Sequence, residues 1–145
     1  MAEADQEEPA EGDQPGEWKW LSRPLIEILH AETLSRFGGT EGLREEGLLE
    51  SALAGPRHLA RYGDPSVFEV AVTYCEGLLQ NHPFADGNKR AGLLAARAFL
   101  FKNGHRLDPE EAETAAVIRQ VAAGELSREE LAEWLAANSE PISEE

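Results

Sequence analysis

Apolar side chains recur at steps of three and four residues through most of this chain, which is the pattern of amphipathic helices. In the segment 22–39 the apolar face consists of Leu25, Ile28, Leu29 and Leu34. Ser22 stands where an N-terminal cap is expected, Pro24 falls in the first turn, and Gly38-Gly39 interrupts the pattern. The segment therefore predicts a first helix that begins beside Ser22 and stops at the two glycines.

The next two segments predict a short helix and a longer one. The apolar positions of the second helix are Leu48, Leu49, Ala52 and Leu53. Pro56 is predicted to end this helix, because a proline ring cannot continue the hydrogen-bond ladder. The third helix opens after Pro65 and carries its apolar positions at Val67, Val70, Ala71, Tyr74 and Leu78. It leads the chain directly to His82.

The remaining segments predict a central helix followed by two capped ones. Residues 90–104 are nearly apolar all round, as expected for a helix inside a bundle, and Asn103-Gly104 predicts a left-handed end. Asp108 and Ser127 each stand three residues before a Glu, the spacing of a capping box. Neither the alternation of a useful strand nor a solenoid repeat is visible. The chain is therefore predicted to be all-α, a compact bundle of about six helices.

Composition divides the chain into one domain and two tails. Residues 1–17 hold seven acidic residues, no basic residue and no large apolar side chain beyond Met1, so a disordered acidic tail is predicted there. The domain is predicted to span 18–138, with a flexible tail over 139–145. Cys75 is the single cysteine among 145 residues and lies in an apolar stretch. It predicts a core thiol and a reducing compartment, without a disulfide framework.

The charge of the chain excludes several classes of partner. The formal net charge is −15, whereas non-specific binding to nucleic acid or to an anionic membrane needs clustered Lys and Arg. The sequence contains neither a run of about eighteen apolar residues nor the basic start of a secretory signal. We therefore expect a soluble, cytoplasmic protein that uses neither nucleic acid nor a membrane as its partner.

The stretch HPFADGNKR, residues 82–90, concentrates reactive groups between the third and central helices. If the central helix begins near Asn88, the free amides of its first turn form an anion site. Gly87 lets a phosphate approach the main chain, and Lys89 and Arg90 add positive charge beside the same terminus. A lone carboxylate next to a polyphosphate, here Asp86, is a typical way to hold Mg²⁺.

His82 and Phe84 complete this interpretation of the stretch. An imidazole with a pKa near neutral can take a proton from a hydroxyl that attacks phosphorus, so the residues predict phosphoryl or nucleotidyl transfer. Phe84 is predicted to anchor the loop in the core. A purely structural interpretation, with Asp86 as a helix cap and His82 as a helix-end partner, explains two residues. It does not explain two cations at the positive end of a helix.

The same nine residues resemble the signature of the Fic/Doc family: His-Pro-Phe, any residue, Asp or Glu, Gly, Asn, Gly or Lys, Arg. Every position matches. The resemblance extends over about Trp20 to Trp134, because FGGTEGLREEGLLESALAGPR and FLFKNGHRL also look like the death-on-curing branch of the family. It implies His82 as general base, Asp86 as Mg²⁺ ligand, and a phosphate-binding turn at Gly87 and Asn88.

The resemblance further implies that Arg90 contacts the phosphates of ATP and that Lys89 decides how ATP is oriented. Members that transfer AMP mostly have Gly at this position, whereas the Doc branch has Lys and is understood to place the γ-phosphate at the reaction centre. The Doc branch departs from this chain at Gly87, where it has Ala, and at Ala91, where it has Thr. The expected activity is therefore that of an ATP-dependent protein kinase toxin, with transfer of AMP as the alternative.

The resemblance also implies partners and regulation. The expected substrate is a hydroxyl on a translation factor of the elongation factor Tu type. The segment 38–44 corresponds to a flap that aligns the target chain, although its glycines would serve a plain connection equally well. Some members carry an inhibitory Ser or Thr four residues before the Glu of a Glu-Gly or Glu-Asn pair, and no such spacing occurs here. We therefore expect neutralisation by a separate, cognate antitoxin. A non-catalytic module that binds a nucleotide or a partner remains a third hypothesis.

Overall fold

A computed structural model describes residues 18–142, and the predicted acidic tail 1–17 and residues 143–145 lie outside this described part. Its helices are α1 (Arg23–Phe37), α2 (Glu46–Tyr62), α3 (Val67–Asn81), α4 (Asn88–Lys102), α5 (Glu111–Ala122) and α6 (Arg128–Ala137). Two short strands, β1 (His105–Leu107) and β2 (Ser139–Pro141), pair with each other. The all-α prediction of about six helices is confirmed.

The core is built around α3 and α4, which pack side by side with small residues at their contact. A Cβ atom added at Gly92 of α4 would lie 3.0 Å from the Cys75 carbonyl oxygen of α3. A Cβ added at Gly77 would lie 3.1 Å from the Ala52 Cβ of α2. These glycines let the helix axes approach closely, which explains why α4 has buried residues on most of its faces. Cys75 is buried between them, as predicted.

Two serine caps lie where the sequence predicts them, whereas the cap predicted at Asp108 is absent. Ser22 caps α1 and Ser127 caps α6 through a capping box, and both predictions are confirmed. Asp108 does not cap α5, and this prediction is wrong: the helix begins at Glu111 without a side-chain cap. The Asp108 amide instead donates to the Asn138 carbonyl at 2.9 Å, next to the strand pair, so the chain is still extended at this point.

The predicted end of the second helix at Pro56 is also wrong, because α2 continues to Tyr62. Pro56 is buried together with Leu49, Ala52 and Ala60, which form one stripe facing the rest of the bundle. An internal proline costs a helix about 3 kcal/mol. Burial of the stripe on both sides of the ring outweighs this local penalty, and α2 is therefore a long helix packed on α3.

The strand pair extends the domain beyond its predicted end at residue 138. β1 and β2 run antiparallel, with Arg106 opposite Glu140, and the Ile142 amide donates to the Gly104 carbonyl at 2.9 Å. Residues 139–141 are therefore part of the fold, although the sequence assigned them to a flexible tail. Strands of three residues are too short to produce a recognisable alternation. Within residues 18–142, each helix is too short or too polar to cross a membrane.

Candidate active site

The motif 82–90 forms the junction between the two central helices. α3 ends at Asn81, and His82 is its C-terminal cap in the left-handed conformation, with φ 49° and ψ 56°. Gly87 precedes α4 with φ 80°, also left-handed, and α4 begins at Asn88 as predicted. The His82 amide donates to the Leu78 carbonyl at 3.2 Å, while its side chain is exposed. The imidazole is therefore presented to solvent at a fixed helix end.

Arg44 fixes this helix end from a distant part of the chain. Its Nε donates to the His82 carbonyl at 2.8 Å, and its Nη2 donates to the Asn81 carbonyl at 2.9 Å. These carbonyls lie at the C-terminus of α3, where the helix dipole is negative and a cation is stabilising. Arg44 is the last residue of the predicted flap, but its bonds to this helix end were not predicted, since its partners lie 37 and 38 residues away.

The loop between the helices is held by the side chain of Asn88. Asn88 Oδ1 accepts from the Phe84 amide at 3.1 Å, and Asn88 Nδ2 donates to the Phe84 carbonyl at 3.0 Å. Both residues are buried, with Phe84 4 % and Asn88 7 % exposed. The polar atoms of the Asn88 side chain are thus engaged with the loop, and what Asn88 offers to a ligand is its main-chain amide. Phe84 packs in the core, as expected for an anchor.

The first turn of α4 has the properties of an anion site. The amides of Asn88, Lys89 and Arg90 have no acceptor inside their own helix. No side chain caps this end, and its first turn contains no acidic residue. By contrast, serine side chains cap α1, α3 and α6. An anion at this terminus would meet free amides and the positive end of the helix dipole.

The two cations of the motif lie on different sides of α4. The Arg90 guanidinium carbon lies 3.8 Å from the centroid of the Phe37 ring, at the end of α1. It lines a groove of about 610 Å³ between α1, α4 and α5. Lys89 lies on the side that faces α3 and α5, beside Leu79 and Leu93. The sequence predicted both residues at the start of α4, but the structure separates their side chains.

The Asp86 carboxylate lies at the centre of a small hydrogen-bond network. Its Oδ1 accepts from the Gly87 amide at 3.0 Å, and its Oδ2 accepts from the Thr40 amide at 3.3 Å. A carboxylate oxygen has further acceptor capacity beyond one hydrogen bond. No group of three or more potential metal ligands comes together within residues 18–142. Mg²⁺ often takes one carboxylate together with phosphate oxygens and water, and the free acceptor capacity of Asp86 is compatible with that role.

The predicted flap, residues 38–44, lies against the motif. Leu43 and Phe84 form an isolated antiparallel bridge, and the Ala85 amide donates to the Gly42 carbonyl at 3.0 Å. Gly39 has φ 130°, and a Cβ there would lie 3.1 Å from Asp86 Oδ2. The segment is thus joined to the loop of the motif by its main chain. Its role in aligning a target stays a prediction.

One residue in contact with the motif was missed entirely by the sequence interpretation. His30, on α1, is 5 % exposed, and its ring is stacked on Phe84 with the centroids 3.7 Å apart. Its Nε2 lies 2.6 Å from the Asp86 carbonyl oxygen. In the sequence, His30 occupies an ordinary helical position 56 residues from Asp86. No local signal distinguishes it from a solvated histidine.

The fold and the site together define a helical bundle whose central helix begins, without a side-chain cap, directly after the motif. The chain belongs to the Fic/Doc family, whose family model matches residues 20–100. It is 32% identical to "Protein kinase doc" of Escherichia phage P1 over 116 residues, which cover 79% of this chain and 91% of that protein. It is 36% identical to "Toxin Doc" of Mycolicibacterium smegmatis over 83 residues, which cover 56% of this chain and 63% of that protein.

Proposed function

We propose that this protein is a Doc-like toxin that transfers the γ-phosphoryl group of ATP to a hydroxyl group on a protein of the translation machinery. The observation that carries the proposal is the uncapped first turn of α4, which contains Lys89 and Arg90 and directly follows the loop that carries His82 and Asp86. Membership of the Fic/Doc family and the similarity to a protein named a kinase support the same activity.

The start of α4 binds and orients the triphosphate. The amides of Asn88, Lys89 and Arg90 provide donors that are already positioned. Gly87, with its left-handed φ of 80°, turns the chain into this helix start. When bound at Asp86, Mg²⁺ would supply positive charge to the phosphate oxygens. Positioning and charge stabilisation of this kind account for most of the acceleration expected in phosphoryl transfer.

His82 accepts the proton of the target hydroxyl group. The target hydroxyl oxygen attacks the γ-phosphorus, its proton passes to the His82 ring, and the bond between the γ-phosphorus and the bridging oxygen breaks so that ADP leaves. General-base catalysis of this type contributes about 10²–10⁴-fold. An exposed imidazole at a fixed helix end suits this role, since the acceptor is carried by another protein and must reach it from outside.

The proposed target is a hydroxyl on a translation factor of the elongation factor Tu type, and its modification would arrest translation. We further propose a separate antitoxin, which the name of the relative "Toxin Doc" supports. The groove beside Arg90 is a suitable docking place, because three arginines and only two glutamates line it in a protein with a net charge of −15. An acidic segment bound there would cover Arg90 and block the phosphates.

ATP labelled at either the α- or the γ-phosphate tests the proposed activity. The purified protein and its His82→Ala variant are each added to a translation extract. We expect label from γ-labelled ATP on one protein band, and loss of that band with His82→Ala. Label from the α-position instead would establish transfer of AMP. If neither label reaches a protein while ATP still binds, the protein is a binding module and the proposed reaction is refuted.

The role of Lys89 is tested by the substitution Lys89→Gly, with Lys102→Gly as the matched control at the other end of α4. If Lys89 decides the orientation of ATP, transfer of the γ-phosphoryl group should fall and transfer of AMP should become detectable. The control variant should keep the wild-type ratio of the two labels. Unchanged γ-transfer by Lys89→Gly would show that this side chain does not set the orientation.

A further inference from the structure

His30 contacts three of the four residues from Phe84 to Gly87. Its ring is stacked on Phe84 with an interplanar angle of 7°, and its Nε2 lies 2.6 Å from the Asp86 carbonyl oxygen. A Cβ atom added at Gly87 would lie 3.4 Å from both Cδ2 and Nε2 of the ring. A buried side chain of α1 is therefore packed directly under the loop that carries the proposed metal ligand.

The contact with Asp86 fixes the protonation of one ring nitrogen. A carbonyl oxygen only accepts hydrogen bonds, so a bond between it and Nε2 requires a proton on Nε2. Burial adds a constraint, since an unpartnered polar group inside the protein costs about 1–3 kcal/mol. The ring is thus held in its plane by Phe84 and along one direction by the bond to Asp86.

A single peptide unit connects His30 to the carboxylate. The carbonyl oxygen that accepts from His30 and the Gly87 amide belong to the same planar peptide, and in a trans peptide these two groups point in opposite directions. The Gly87 amide donates to Asp86 Oδ1 at 3.0 Å. Fixing the carbonyl end of this peptide therefore fixes the direction of the amide that holds the carboxylate.

We propose that His30 is a positioning residue that orients the Asp86 carboxylate for Mg²⁺ through the Asp86–Gly87 peptide. The inference rests on the proposed function, and it assigns to His30 no contact with the nucleotide. Groups that orient metal ligands in this way affect metal affinity by about 10–100-fold when they are removed.

Two substitutions separate the hydrogen bond of His30 from its packing. His30→Phe keeps a ring that can stack on Phe84 but removes the donor. His30→Gln places an amide nitrogen near the position of Nε2 and restores the donor. His105, whose ring meets Phe68 edge-on with the centroids 5.2 Å apart, lies away from the motif, so His105→Phe is the matched control.

The Mg²⁺ concentration that gives half-maximal phosphoryl transfer at saturating ATP is the functional readout. We expect it to rise about 10–100-fold in His30→Phe, to stay within about threefold of the wild type in His30→Gln, and not to change in His105→Phe. An unchanged Mg²⁺ requirement in a folded His30→Phe protein would overturn the proposal. Equal losses in the Phe and Gln variants would also overturn it, because the donor would then be irrelevant.

Two measurements on the nucleotide-free protein make the proposal independent of activity. Long-range ¹H–¹⁵N correlation spectra of the wild type should show a proton on His30 Nε2, and an unprotonated Nε2 would refute the peptide connection without any variant. Hydrogen exchange at the Gly87 amide should be faster in His30→Phe than in the wild type. If exchange changes as expected but the wild type transfers no phosphoryl group, the proposed function fails while the positioning of Asp86 by His30 stands.

Discussion

Replacing Asn88 with alanine removes both hydrogen bonds that hold the main chain of Phe84. The Phe84 amide and carbonyl would be left without partners in a region where Phe84 is 4 % and Asn88 7 % exposed. Each unsatisfied buried group costs about 1–3 kcal/mol, so the free energy of unfolding should fall by about 2–4 kcal/mol if water partly fills the vacated space. The free energy of unfolding of a native domain is usually about 5–15 kcal/mol, so the variant should stay folded.

Asn88→Ala should also lower the rate of phosphoryl transfer strongly. Without the two bonds the loop can shift relative to α4, and a displacement of about 1 Å can lower a rate about 10²-fold. Asn103→Ala is the matched control at the other end of the helix. The Asn103 side chain bonds the Lys19 amide at 2.9 Å and the Phe99 carbonyl at 2.8 Å, but it is partly exposed and lies far from the motif.

Urea unfolding and γ-phosphoryl transfer are to be measured on the same preparations. The free energy of unfolding of Asn103→Ala should be about 1 kcal/mol lower than that of the wild type, since water can bond the groups that Asn103 leaves. This variant should keep full activity. If Asn88→Ala lost stability as expected but transferred phosphoryl groups at the wild-type rate, Asn88 would support the fold alone. A loss of less than about 0.5 kcal/mol would contradict the burial argument itself.

Three further outcomes follow from contacts elsewhere in the described chain. Gly92→Ala should lower the free energy of unfolding by about 1–3 kcal/mol in urea titrations, because the new methyl group would lie 3.0 Å from the Cys75 carbonyl. Arg44→Gln should reduce kcat more than it raises the KM for ATP in steady-state assays, since it frees the carbonyl of His82. Burial raises the pKa of Cys75 to about 12, so this thiol should resist disulfide reagents in the native protein at pH 8. Its folded pKa exceeds the ordinary value of 9.0, so its contribution to stability should be fully present below about pH 9 and be lost progressively as the pH rises to about 12. Cys75→Ala should lack that part of the pH dependence in urea midpoints.

Local patterns were sufficient for most helices because their signals lie within a few residues. Ser22 and Ser127 each accept a bond from an amide three residues ahead, so the cap and its partner are adjacent in the sequence. Pro56 and Asp108 show the limit of such rules. The helix continues through Pro56 because of a stripe buried against α3, and the cap expected at Asp108 is absent because the chain there is tied to Asn138.

The motif itself could be found in the sequence, but the residues that hold it could not. His82 to Arg90 form one uninterrupted stretch, and their order carried the prediction. Thr40 and Arg44 lie in the flap that the family resemblance implies, but their bonds to this stretch form only in the fold, across 46 and 38 residues. His30 lies 56 residues from Asp86 on an ordinary helix, so a single sequence offers no reason to select it.

The left-handed backbone at His82 lowers the stability of the domain. Among residues 18–142, His82 alone combines a positive φ with a side chain, a conformation that costs about 1–3 kcal/mol and that glycine would adopt without strain. Selection for heat resistance alone would therefore favour His82→Gly, a protein with a higher melting temperature and no imidazole. The free energy of unfolding is thus lower than this fold permits, and the residue responsible, His82, is the one proposed to take the proton of the target.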